Sequence, residues 1–184
     1  MGLINDIEVK TRNLVNERVR QGRVLMERIK AIKHWTKEPY KKNADVAMKI
    51  ARSFHLTAQM NIMVQLLGYT RKHSQLQMLG DELALLILKI PDGSESYEMD
   101  FYTMQHPLQP HFWAIFCSLN YGIQCLDRLK GIYDRSTRTN TGLPIVVAEK
   151  ILRWHIGSQQ NIIEHGWFWK MKQDIMLEHD LSLG

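Results

Sequence analysis

The chain has 184 residues, 45% hydrophobic and 23% charged, with eleven glycines and five prolines, which is long enough to bury one core and too apolar for a disordered or low-complexity protein. Its longest apolar stretch, Phe112 to Leu126, is interrupted by Ser118, Asn120 and Gln124 and falls short of the roughly 20 residues that span a bilayer. No membrane helix is expected, and the start of the chain lacks a basic, then apolar, leader, so the expected location is the cytoplasm.

The net charge is +5, and its distribution says more than its size. Residues 1–42 carry eleven Lys and Arg against five Asp and Glu, whereas the other 142 residues carry thirteen against fourteen. A concentrated basic segment attracts polyanions, nucleic acid first among them, or else is a solvated helix surface.

In chain order, Ile7 to Arg12 alternates apolar and polar residues, the period-two pattern of a half-buried strand. From Asn13, read as an N-cap, the apolar residues Leu14, Val15, Val19, Val24, Leu25, Ile29 and Ile32 predict a helix to about His34. Gly22 falls in its middle and marks either a break or a place where another backbone comes close. Helices are then expected over 44–67 and, with the stripe Leu76, Leu79, Leu83, Leu86, Ile87 and Ile90, over 75–89. Pro91-Asp-Gly93 ends the latter. A second strand is expected over 96–104, its polar face carrying Glu98 and Asp100.

After Pro107 and Pro110, one helix of 20 or more residues is expected to reach about Asp134. Cys117 and Cys125 would lie about 12 Å apart along it, too far for a disulfide. They read as buried thiols of a reducing compartment. The hydroxyl-rich turn 135–142 precedes Pro144 and two last helices, 145–164 and 167–178. Arg135 and Arg138 in that turn are candidate phosphate contacts, against the alternative of an ordinary surface turn. The whole, 1–184, reads as a single domain, with 5–36 as a DNA-binding element of strand and basic helix and 43–178 as the helical core and dimerisation part.

Chemistry is sparse. There is no glycine-rich nucleotide loop, no His-Glu-x-x-His and no nucleophile elbow. His106 and His111, and His155 and His165, lack the spacing that puts two imidazoles on one ion. Glu98 and Asp100 have no nucleophile beside them. No catalysis, metal or cofactor is expected. Aromatic residues such as Trp113 and Phe116 read as core, while Trp167-Phe-Trp169 is too dense in large rings for all to face inward.

The constellation with a mechanism is the N-terminal strand followed by a basic helix. A lone strand leaves N–H and C=O groups unpaired, so it needs a partner, either residues 97–104 or the same strand of a second chain. Paired two-fold, it makes an antiparallel ribbon that fits the major groove of double-stranded DNA. Lys10 and Arg12 would project from one face toward base edges, with Arg18, Arg20 and Arg23 placed on phosphates.

Thr11-Arg12, Gly22-Arg23, the segment Tyr97 to Phe101 before Pro107, and Asp127-Arg128-Leu129 together resemble the AcaB-like regulators encoded on conjugative plasmids and integrating conjugative elements. The resemblance covers about residues 5–145, and the aromatic segment 167–169 departs from it. It implies a ribbon-helix-helix homodimer that regulates, as an activator, conjugative-transfer genes, with Lys10, Arg12 and Asn13 on the reading face and other transcription machinery as a further partner. The expected fold is therefore mainly α, five or six helices with one or two short strands. The rival expectation is a protein–protein accessory component of a conjugation or secretion apparatus that does not bind DNA.

Overall fold

A computed structural model describes residues 2–32, 44–90 and 108–135. They form five helices: α1 Gly2–Lys30, α2 Ala44–Gln65, α3 Ser74–Leu88, α4 Leu108–Cys117 and α5 Gly122–Arg135. No strand occurs among the described residues.

The core forms around α3, which packs against α2, α4 and α5. Leu76, Leu79, Leu83 and Ile87, three or four residues apart, form its buried stripe. They meet Leu56, Met60 and Met63 from α2, Trp113, Ile115 and Phe116 from α4, and Leu126 and Leu129 from α5. Burial of each such side chain contributes about 1.5–3 kcal/mol. The expected core roles of Trp113 and Phe116 hold; their rings meet edge to face at 5.9 Å.

The turns between helices are set by a few side chains. Gly68 takes a left-handed φ of 69° after the end of α2, so the Tyr69 N–H reaches back to the Met63 carbonyl at 2.9 Å. His73, in extended backbone, accepts the Gln75 N–H on its ring nitrogen to start α3. At the far end of α3, the Arg128 guanidinium from α5 donates to the Leu88 carbonyl at 2.6 Å and to the Ile90 carbonyl, satisfying groups that a helix C-terminus leaves without partners. Arg128→Met should therefore lower stability by about 1–3 kcal/mol, read as a shift in urea midpoint with helix content unchanged.

The sequence expectations need three corrections. Residues 7–12 are not a strand but part of α1. An isolated six-residue strand must borrow hydrogen-bond partners, whereas a helix satisfies its own backbone, and β-branched Ile7, Val9 and Thr11 lower helix propensity by under about 1 kcal/mol each. The ribbon-helix-helix element, and the dimer built on strand pairing, go with the strand. The second expected strand, 96–104, lies outside the described residues, as do the helices expected beyond 135 and the segment 167–169. The single long helix after Pro110 is two helices with a turn at 118–121. Cys117 and Cys125 therefore sit on different helices, both free and buried.

That turn is held by α3. Gln77 Nε2 donates to the Arg71 and Cys117 carbonyls, each at 2.6 Å, while its Oε1 accepts from Leu119 N–H. Asp81 accepts from Ser118 Oγ at 2.6 Å and Asn120 Nδ2 at 2.7 Å. Arg71, fully buried, donates from Nε to the Phe116 carbonyl. Burial pulls its guanidinium down from its ordinary value to about 9, which still leaves it charged at neutral pH.

Gly22 does not break α1. A Cβ there would stand 2.8 Å from Leu67 Cδ2 and 2.9 Å from Leu66 Cβ, so its missing side chain lets the end of α2 come close. Gly22→Val should cost about 1–3 kcal/mol in packing and loosen α1 from the body, seen as faster proteolytic clipping within residues 8–32 while the core keeps its cooperative unfolding.

Candidate nucleic-acid interface

At 29 residues, α1 is about 43 Å long. Its second half meets the body through the seam Val19, Gly22, Met26 and Ile29, of which Gly22 and Met26 are buried. Residues 8–18 are exposed throughout. Arg18 anchors the point of departure by donating to the Gln65 carbonyl at the end of α2.

The helix sorts its charges onto edges. Arg12, Arg23 and Lys30 are spaced by eleven and seven residues, steps that return to within about 20° of one direction at ~100° per residue. All three are exposed. They form one cationic edge about 27 Å long at 1.5 Å per residue. Lys10 and Arg28 lie on another side of the helix.

Two acidic residues of α1, Glu17 and Glu27, are paired, while Glu8 is exposed. Glu17 accepts from Arg20 at 2.7 and 2.8 Å and from Gln21 at 2.9 Å, which holds its carboxyl down at about 2. Donating to the Glu17 carboxylate raises Arg20 above its ordinary value. Glu27 meets Lys30 at 3.5 Å. No hydrogen bond or ion pair joins Lys10, Arg12, Arg23 or Arg28 to another described residue. The helix therefore presents net positive charge outward.

The sequence-predicted site residues are divided by this geometry. Lys10 and Arg12, expected on one strand face, are about 200° apart on a helix and point to opposite sides. Asn13 is an exposed mid-helix residue and caps nothing, because α1 begins eleven residues earlier. Arg18 and Arg20 are engaged with Gln65 and Glu17. Arg23 stands free on the edge with Arg12. Arg135 is the last residue of α5, and Arg138 lies outside the described residues, as do Glu98 and Asp100. Sequence reading missed Lys30 as a member of the edge; the 11-and-7 spacing was the signal, legible only once 7–12 is helical.

Of the residues that carried the resemblance, Arg128 and Leu129 have structural roles, the first closing α3 and the second buried in the core. Cys117 and Cys125 supply no reactive thiol, since burial pushes each up to about 12. Neither thiol should react with iodoacetamide at pH 8 in the folded protein, and both should react in denaturant. Because the folded values lie above the ordinary value of 9, the stability these thiols contribute is complete below pH 9 and declines from there toward pH 12. No group of three or more His, Cys, Asp or Glu able to hold a metal ion occurs among the described residues, and no helix among them is long and apolar enough to cross a membrane. The chain matches no family model, no curated protein and no solved structure.

Proposed function

We propose that the protein is a DNA-binding regulator that contacts double-stranded DNA through the Arg12, Arg23 and Lys30 edge of α1. The observation that carries this is a 29-residue helix whose residues 8–18 are exposed and which sets three exposed cations on one edge, Arg12 and Arg23 with no partner among the described residues and Lys30 at 3.5 Å from Glu27. Cations on a rigid helix edge exchange condensed counterions for phosphate contacts, and that release is the main sequence-independent source of affinity. One α1 per contact suffices, and the strand-paired dimer has no part in it. The regulatory role rests on the resemblance of residues 5–145; the DNA contact rests on α1.

The test is the salt dependence of binding to a fluorescent 30-base-pair duplex. Three phosphate contacts give a log–log slope of about −2.7, so affinity should fall roughly fortyfold between 50 and 200 mM salt. A flat salt dependence, or no binding at 50 mM, would remove the proposal. The accessory-component reading is favoured by a separate observation, the apolar residues exposed on the other side of α1.

A further inference from the structure

Leu14, Leu25 and Ile32 are 72%, 40% and 55% exposed. They are spaced by eleven and seven residues, as Arg12, Arg23 and Lys30 are, but displaced by two positions, which turns them about 200° away from the cationic edge. Between them lie Arg18, Gln21 and Arg28, all exposed. The series 14, 18, 21, 25, 28, 32 alternates steps of four and three, the spacing of a helix–helix seam. It runs beside the seam that α1 already uses against the body, which steps through 19, 22, 26 and 29. The hydrogen bonds from Ala31 N to Glu27 O and from Ile32 N to Ile29 O carry the turn past the end of α1, so Ile32 belongs to the series.

The charge of this seam decides what can cover it. Arg18 and Arg28 occupy seam positions, and Lys10 flanks them on the side of Arg28. The nearby acid, Glu17, is held by Arg20 and Gln21. A second copy in parallel register would set Arg18 against Arg18 and Arg28 against Arg28. An antiparallel copy centred between Leu14 and Leu25 would bring Arg28 to within one residue of the level of Lys10. Like charges oppose both arrangements. A helix with a leucine-type stripe flanked by carboxylates would instead cover Leu14, Leu25 and Ile32 while pairing Lys10 and Arg28.

We propose that the seam Leu14, Arg18, Gln21, Leu25, Arg28 and Ile32 docks an acidic amphipathic helix of another protein. This goes beyond the DNA contact and does not depend on it, since the two edges face opposite ways. The protein thus joins a polyanion on one side of α1 to an acidic helical partner on the other.

The experiment uses the full chain and two synthetic 28-residue helices with leucine at both seam positions of each heptad, one with Glu and one with Lys at the flanking positions. The Glu helix should bind at least tenfold more tightly than the Lys helix by fluorescence anisotropy. Leu14→Asn with Leu25→Asn should weaken the Glu helix at least tenfold, and Leu14→Asn alone at least threefold, with circular dichroism unchanged and duplex affinity within twofold. Arg12→Gln, Arg23→Gln and Lys30→Gln together should leave the Glu helix bound, which separates the seam from the cationic edge. Equal binding of both helices, insensitivity to the leucine changes, or loss of the Glu helix in the Arg12, Arg23 and Lys30 variant would overturn the proposal. So would a dimer in sedimentation that the leucine changes dissolve, because a second copy would then occupy the seam.

Discussion

Gly80→Leu should severely weaken the core. Gly80 lies on the buried face of α3, and a Cβ there would stand 3.0 Å from the Cys117 carbonyl carbon, 3.0 Å from the Ser118 nitrogen and 3.1 Å from Cys117 Cβ. Two of those atoms are backbone, and that backbone is clamped to α3 by Gln77 and Asp81, so it has little room to yield. In an open helix, Gly→Ala would gain up to about 1 kcal/mol of helix propensity. Here the contact offsets that gain, and Gly80→Ala should be destabilising by roughly 1 kcal/mol. Leucine adds three more carbons with no space to enter. Its cost should exceed about 3 kcal/mol, a large part of the 5–15 kcal/mol of a typical domain. Urea unfolding of both variants checks the order; a Gly80→Ala protein more stable than the parent would show that the α3–α4 contact is loose.

Neutralising the edge with Arg12→Gln, Arg23→Gln and Lys30→Gln should reduce affinity for duplex DNA at least a hundredfold at 100 mM salt. Hydrogen bonds to charged groups contribute roughly 1.5–3 kcal/mol each, and about 1.4 kcal/mol is tenfold in affinity. Discounted for solvent exposure to about 1 kcal/mol each, three contacts touching phosphate together still amount to about 3 kcal/mol, just over two orders of magnitude. The triple change should also flatten the salt slope by nearly three, since each lost contact removes about one unit. Arg20→Gln is the internal control, because its guanidinium already serves Glu17. It should change affinity less than threefold. The fold should be unaffected in all of these, as the side chains are exposed.

Much of the helical body is legible in the sequence because each helix buries one apolar stripe. The reading of 75–89 from Leu76, Leu79, Leu83 and Ile87 differs from α3 by one residue at each end, and 44–67 differs from α2 only at its C-terminus. The strand at 7–12 went wrong for a reason built into short patterns. Ile7, Val9 and Thr11 alternate over six residues, but the surrounding chain from Gly2 to Lys30 holds no proline, and cooperative helix propagation absorbs so short a segment. The turn at 118–121 was also marked in the sequence. Ser118 and Asn120 are turn-forming residues, yet with Gln124 they read as interruptions of an apolar run because apolar residues continue on both sides. Gly80 carries no local signal, and Gly122 none for the close approach it permits. Their role appears only when Cys117 and the Ile115 carbonyl, 2.7 Å from where a Gly122 Cβ would lie, are brought across from another part of the chain.

The candidate site was legible as composition and not as geometry. The excess of Lys and Arg in residues 1–42 pointed to α1, while assigning Lys10 and Arg12 to one face required a period of two. With a period of 3.6, Arg12 joins Arg23 and Lys30, and Lys10 moves to the side of Arg28. Ion pairing, which occupies Arg20 with Glu17 and brings Glu27 to Lys30 on that edge, depends on i,i+3 neighbours and follows once the helix is known.

The measurement that tests the central claim most directly is photo-crosslinking from α1 to a labelled duplex. A photoreactive phenylalanine replaces Asn16, which lies about 40° from Arg12 around the helix, or Gln21, about 180° from it. Both positions are exposed, so either reports contact without disturbing the core. The Arg12, Arg23 and Lys30 edge as the DNA contact predicts a crosslink from position 16 and none from position 21, with the crosslink lost as salt is raised. Crosslinks of equal yield from both positions, or from position 21 alone, would contradict it.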